Sequence, residues 1–400
     1  MITKKTSLIF LIILAMMSMS GLIATDIFLP AIPNIMNHFS LTEARAQSLI
    51  SVYLIGIAVM QVVYGPISDS FGRKTVLIIG ILIFCVASFA VTLFDNYHYV
   101  LLMRLIQAVG ACACLTLGRA IVGDLFDKKE TGKIFLVIFP FVGITPAIAP
   151  VIGGWLNIAF NWQACFYFTA AFALVLLVLI VFFLKESKPI EQRTALHYST
   201  ISSNYSNIIK TPAFWGYTAS VCFAYAAYFA YIAESPFLLL KQGITTEALG
   251  YSFISLSVTY VVGNLTARYL MRKYSLDSTL MIGYTIFVTG GTLFFASLAV
   301  FPAVFIFSIT AISILTFGNG FLLPLGTAGG VTAIPKLTGS SSGILGSLQL
   351  AAGAVAAQGI GVLSGHEPFK IGLIMLIVVW CGFLVQVFFY RMHKKALKKP

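Results

Sequence analysis

The sequence predicts an all-α integral membrane protein with twelve transmembrane helices in two six-helix pseudo-repeats. Three observations predict it. Of 400 residues, 59% are apolar and 10% charged, and a water-soluble domain of that composition would expose more apolar surface than such domains tolerate. Apolar stretches of about 20 residues, the length that crosses the hydrocarbon core, recur along the whole chain. One long polar stretch, at roughly 185–211, divides them six from six.

The spans fall at roughly 8–33, 45–67, 75–94, 97–122, 133–156 and 163–184, then 212–236, 247–270, 278–300, 302–327, 340–363 and 368–390. No A-x-A-like site follows the first, which reads as a retained helix. It carries Asp26 shortly before Pro30 and Pro33. The turn after the second span packs Gly65, Asp69, Gly72, Arg73 and Lys74 where the chain leaves one bilayer helix and enters the next. A mere connector needs no acid there. The fourth span holds Arg104, Gln107 and Arg119 and ends at Asp124. The fifth concentrates Pro140, Pro146, Pro150, Gly143, Gly153 and Gly154, a pattern that in a bilayer permits a kinked, tightly packed helix. The seventh is crowded with aromatics. Among them Tyr225 and Tyr228 are candidates to line a cavity, whereas Trp215 and Tyr217 read as interfacial belt residues. After the eighth span, Gly263 and Arg272-Lys273 repeat Gly65 and Arg73-Lys74 about 200 residues later, without the acid. The expected organisation is a six-helix bundle over 1–184, a cytoplasmic linker over 185–211, and a second bundle with a basic tail over 212–400. Like-oriented repeats of this kind are a known transporter architecture, with the substrate site at their interface.

The net charge of +12 invites a nucleic-acid partner, but its placement excludes one. The basic residues gather at the two termini, in the 2–3, 4–5, 8–9 and 10–11 turns and in the polar linker, with Arg45, Lys241 and Lys370 opposite. By the positive-inside rule both termini are cytoplasmic. The six cysteines lie inside predicted spans as small packing residues. The five histidines are scattered, so neither a disulfide framework nor a metal site is indicated.

Gly65-x-x-x-Asp69-x-x-Gly72-Arg73-Lys74 matches the loop 2–3 signature of the major facilitator superfamily. Thr25-Asp26-Ile27-Phe28-Leu29-Pro30 and Arg119-Ala120-Ile121-Val122-Gly123-Asp124 resemble the bicyclomycin and chloramphenicol resistance branch of its drug:proton antiporters. Arg104-x-x-Gln107-x-x-Gly110 resembles the fourth-helix signature, with Ala108 where glycine is common. Ala149-Pro150-Val151-Ile152-Gly153-Gly154 is similar to the antiporter motif of the fifth helix, with Ala149 in place of its usual glycine. Glu234-Ser235-Pro236-Phe237 and Gly339 to Gly346 are similar to the same branch, so the resemblance covers nearly the whole chain.

An ionisable side chain at bilayer depth costs about 2.5–3.5 kcal/mol on insertion scales and marks function by default. Asp26 and Arg104 each lie seven residues inside the estimated outer ends of their helices, a depth of roughly 10 Å, where they can meet. A carboxylate held between burial, which disfavours its charge, and a guanidinium, which favours it, can load and release a proton; a permanent ion pair is the alternative. Arg104 keeps its charge and acts electrostatically on Asp26 or on substrate, with Gln107 on the same face as a hydrogen-bonding partner. Glu234 is a second proton or cation candidate, or else a solvated carboxylate near the outer interface. The resemblance implies that the Asp69 carboxylate caps a helix of the other half and that Arg73 pairs with Asp124. With Gly72 and Arg119 these form a cytoplasmic gate.

The resemblance thus implies proton-coupled efflux of small amphipathic molecules by a monomer in the bacterial inner membrane. The proton gradient supplies the energy and no cofactor is needed. Its expected partners are the lipid bilayer, a small-molecule substrate and protons. A dedicated exporter of an endogenous metabolite or siderophore, or a sensor built on the same fold, stays open. No enzyme constellation is visible, and no Gly-x-x-x-x-Gly-Lys-Ser/Thr loop points to ATP.

Overall fold

In a computed structural model, residues 7–194, 197–243 and 246–396 are described; Lys4, Lys5 and the end of the basic tail from 397 lie outside them. Twelve long helices follow the predicted spans: α1 (Leu8–Asp26), α3 (Glu43–Phe71), α4 (Arg73–Ala90), α5 (Tyr97–Leu125), α6 (Lys128–Ala159), α7 (Gln163–Phe183), α9 (Pro212–Lys241), α10 (Thr246–Leu270), α11 (Leu276–Val300), α12 (Phe305–Val331), α13 (Thr338–Ser364) and α14 (Pro368–Ala396). Two short helices complete the set. α2 (Ile32–Phe39) continues the first span after a 3₁₀ turn at Leu29–Ala31, and α8 (Tyr198–Lys210) lies in the polar linker. Among the described residues, ten helices are long and apolar enough to cross a membrane. α6 stays helical through all three of its prolines.

The helices are apolar on both sides, as lipid requires. On α4, Leu77, Ile81 and Phe84 are buried while Ile79, Leu82, Val86 and Phe89 are at least half exposed. A water-facing helix would carry polar residues at the second set. Hydropathy therefore locates spans but not their inner faces.

Contacts divide the chain into two compact units. The first runs to Leu125 and takes in Phe141–Asn204 and Lys336–Ile344; the second holds Phe126–Pro140, Tyr205–Pro335 and the chain from Leu345. The start of α6 thus belongs to the second unit and the start of α13 to the first. In the first unit a cluster of Ile27, Phe28, Leu49, Val100, Trp162 and Phe166 surrounds the break after α1. In the second, α12 packs closely on α11, where a Cβ on Gly318 would lie 2.7 Å from the Phe287 backbone nitrogen.

Candidate functional site

The first polar assembly grows from the α3–α4 turn. α3 stops because Gly72 adopts φ +95°, a region that glycine alone enters freely; a Cβ there would also meet Glu186 Oε2 at 2.7 Å. The turn frees the first N–H groups of α4. The Glu186 carboxylate accepts those of Arg73 and Lys74 at 2.8 and 3.2 Å, an anion at a helix N-terminus. Arg73 turns inward, donating from Nη2 to Asp69 Oδ1 at 2.7 Å and from Nε to Asp124 Oδ2 at 2.9 Å. Lys188 Nζ donates to the same Asp69 oxygen at 2.7 Å. Asp69 Oδ2 accepts from the backbone N–H and hydroxyl of Ser340 at 3.1 and 2.6 Å, so Asp69 caps the start of α13. Thr338 closes the ring, accepting from Arg73 Nη2 at 3.0 Å and donating to Asp124.

Asp69 and Arg73 are fully buried and Lys188 is 3% exposed. Two carboxylates thus face two cations, with neutral donors filling the remaining lone pairs, which is what makes a buried charge cluster tolerable. Close approach depends on glycine: a Cβ on Gly65 would lie 2.8 Å from the Gly339 carbonyl oxygen. The structure brings Asp69, Gly72, Arg73 and Asp124 together. Arg119 is half-buried on α5, more than one turn before Asp124. Sequence reasoning missed Glu186, Lys188, Thr338 and Ser340. The signal for the first two was Lys185-Glu186-Ser187-Lys188-Pro189, counted there only as topogenic charge and linker.

The second assembly surrounds the break after α1. Helix α1 ends at Asp26, and Arg104 Nη1 donates to the Ala24 carbonyl at 2.9 Å. A guanidinium from α5 thus sits at the C-terminal, negative end of the α1 dipole. Arg104 also donates to the Leu49 carbonyl at 3.2 Å and to Gln107 Oε1 at 2.5 Å. It lies over the rings of Phe28 and Tyr53, each at 4.3 Å. Gln107 passes the chain of hydrogen bonds to Ser88 Oγ at 2.7 Å. Arg104 and Asp26 share the region without an ion pair between them. One oxygen of Asp26 is buried with no hydrogen-bond partner, a cost that a proton, a water or a substrate donor removes. Gly153 of α6 presses on the same break, where a Cβ would overlap the Ile27 carbonyl oxygen; from Gly154 the nearest atom is Pro30 Cβ at 3.8 Å. Pro146 is exposed and Pro150 half-buried on the same helix.

In the second unit, Lys128 at the start of α6 pairs with Asp277 of α11 at 2.9 Å, and the Tyr217 hydroxyl bonds both. Tyr217, expected in an interfacial belt, is instead 7% exposed. The acid missing from the second copy of the loop motif therefore enters one helix later. Tyr225 and Tyr228 are half-buried on α9, each ring within 6 Å of Phe229; Tyr225 packs over Gly353 of α13, where a Cβ would lie 2.8 Å away. Glu234, 2% exposed, meets His366 Nδ1 at 2.9 Å. Among the described residues no group of His, Cys, Asp and Glu is gathered for a metal.

The sequence profile of the Major Facilitator Superfamily matches residues 8–357. The chain is 27% identical to the "Uncharacterized MFS-type transporter YdgK" of Bacillus subtilis (strain 168), over 96% of this chain and 95% of that one. It is 25% identical to a "Bicyclomycin resistance protein homolog" of Haemophilus influenzae, over 88% of each. Its fold matches that of a point variant of the Escherichia coli fucose:proton symporter FucP with a TM-score of 0.76 at 15% identity, covering 96% of this chain and 97% of that one. The chain belongs to the Major Facilitator Superfamily and is a multi-pass membrane transporter of small molecules.

Proposed function

We propose that the protein exports small amphipathic molecules, of the bicyclomycin or phenicol kind, in exchange for protons. It works as a monomer by alternating access in the bacterial inner membrane, with both termini cytoplasmic. The observation that carries this reading is the Asp26 carboxyl. It stands at a helix break, with one oxygen buried and unpartnered, beside a guanidinium that donates to Ala24, Leu49 and Gln107 and whose Nη2 is likewise buried without a partner. A carboxyl so placed, without a fixed counter-ion, can exchange a proton for a substrate donor as access alternates. The bicyclomycin resistance name of the Haemophilus relative supports the substrate class.

In this reading Asp26 carries the proton, with Glu234 second, and Arg104 and Gln107 contact polar groups of the substrate. Tyr225 and Tyr228 offer it aromatic surface. Asp69, Gly72, Arg73, Arg119 and Asp124 hold the cytoplasmic gate. The fifth span, with Pro146, Pro150, Gly153 and Gly154, transmits the movement of the α1 break. Residues 1–184 and 212–400 act as two bundles joined by the 185–211 linker.

The test is pH-gradient dissipation in energised everted vesicles, adding phenicols, bicyclomycin, lipophilic cations and siderophores in turn. Substrate-induced proton release should occur in the wild type and vanish in Asp26→Asn, with insertion unchanged. Full proton-coupled export by Asp26→Asn would sink the assignment. A response to siderophores alone would move the substrate to an endogenous product.

A further inference from the structure

The buried carboxylate of Glu234 has a partner that the chain order hides. His366 lies 132 residues away, in the turn between α13 and α14, and its Nδ1 is 2.9 Å from Glu234 Oε2. The turn is built to aim that ring. Gly365 and His366 both have positive φ, +56° and +61°, a conformation in which histidine is enriched among non-glycine residues. The His366 N–H donates to Ser364 Oγ at 3.1 Å, and its carbonyl accepts from Lys241 Nζ at 2.6 Å. The ring stacks on Phe237 at 4.0 Å and 29°. Three contacts from α9, those of Glu234, Phe237 and Lys241, therefore converge on one residue of the turn.

Among the described side chains the charged neighbours are few. From α9 come Glu234 and Lys241, the latter engaged with the His366 carbonyl. At the start of α14, Glu367 and Lys370 pair with each other at 3.1 Å. α12 and α13 carry no charged residue, and a Cβ on Gly361 of α13 would lie only 3.3 Å from Glu234 Oε1. On α10, Arg268 sits in the last turn, at the far end of that helix, and Glu247 of the first turn has a side chain outside the described ones. Among the described residues, His366 is the one titratable side chain within ion-pairing distance of Glu234.

We propose that Glu234 and His366 together form a proton-binding clasp that fastens the α13–α14 turn to α9. With one proton bound the pair is neutral, whether as carboxylate and imidazolium or as carboxylic acid and imidazole; the proton belongs to the pair. Without it, the pair carries one negative charge at a carboxylate that is 2% exposed, held only by the hydrogen bond of a neutral ring. Proton loss therefore weakens the fastening. The site lies about 25 Å along α9 from Tyr217, at the opposite end of the second unit from the Lys128–Asp277 pair. The clasp develops the secondary role given to Glu234 and does not rest on Asp26.

Hydrogen exchange of the full-length protein in lipid nanodiscs, followed by mass spectrometry between about pD 5.5 and 8.5, tests it across the range where imidazoles change charge. The reporters are the amides of Gly365 and Glu367, which bond to Gly361 and Ser364 carbonyls at 3.2 and 3.1 Å. After correction for intrinsic rates, protection in the wild type should fall as pD rises. It should be flat in Glu234→Gln and in His366→Asn, where asparagine tolerates the left-handed backbone. Asp26→Asn should keep the wild-type slope even if its transport is lost, which separates this proposal from that one. A flat wild-type profile, or a wild-type slope in either clasp variant, would overturn it.

Discussion

Asp69→Asn is the sharpest perturbation of the charge cluster. The native carboxylate accepts from Arg73, Lys188 and twice from Ser340, at 2.6 to 3.1 Å. The amide keeps the shape and one acceptor oxygen but removes the charge, leaving Lys188, 3% exposed, without a carboxylate. Removing one partner of a buried pair costs about 3–5 kcal/mol. Asp124 still serves Arg73 and the amide oxygen still serves Ser340, so the loss should fall at the low end, about 3 kcal/mol. When the cluster opens, the same side chains meet water, so the loss falls on the closed arrangement alone. At about 1.36 kcal/mol per decade this is roughly a 150-fold rise in the open population. A cysteine at Ser341, fully buried beside the cluster, reads it by alkylation rate once the six native thiols are replaced. Ser341→Cys should react about a hundredfold faster with Asp69→Asn than without, and exposed Glu191→Gln should change nothing. A rate within about twofold of the parent, in protein with an unchanged melting temperature, would refute the cluster as a lock.

Two contrasts test the α1 break. Gly153→Ala and Gly154→Ala gain the same helix propensity, about 1 kcal/mol, but only the first collides with the Ile27 carbonyl. Thermal melting should show Gly153→Ala less stable by about 1–3 kcal/mol and Gly154→Ala unchanged or slightly more stable. Arg104→Lys keeps the charge but cannot reach the Ala24, Leu49 and Gln107 acceptors together from between two rings. It should lower stability by about 2 kcal/mol and abolish export in the vesicle assay, whereas Arg-like transport by the lysine variant would show that charge alone suffices.

How much of this was legible in the chain differs by element. The spans were legible because lipid leaves a helix no choice but to satisfy its own backbone and face apolar tails, and both demands are written in consecutive residues. The repeat and the Asp69–Arg73 turn were legible because they recur or break that pattern locally. Asp26 stood out as a charge where charge is costly.

The partners were not legible. Lys188 is 119 residues from Asp69 and Ser340 is 271 away, and no local pattern separates a lysine that orients the chain from one buried in an ion pair. Arg104 could have met Asp26, yet it donates to the Ala24 carbonyl near the end of α1; that depended on where α1 breaks, against Gly153 of α6. Tyr217 could have faced headgroups, and Glu234 water, until tertiary contacts placed Lys128 and His366 beside them. In a membrane protein the inward and outward faces of a helix are both apolar. Sequence by itself therefore determined the spans and the charges they could not hide, and the tertiary structure alone decided which groups neutralise one another, because that depends on faces hydropathy does not distinguish.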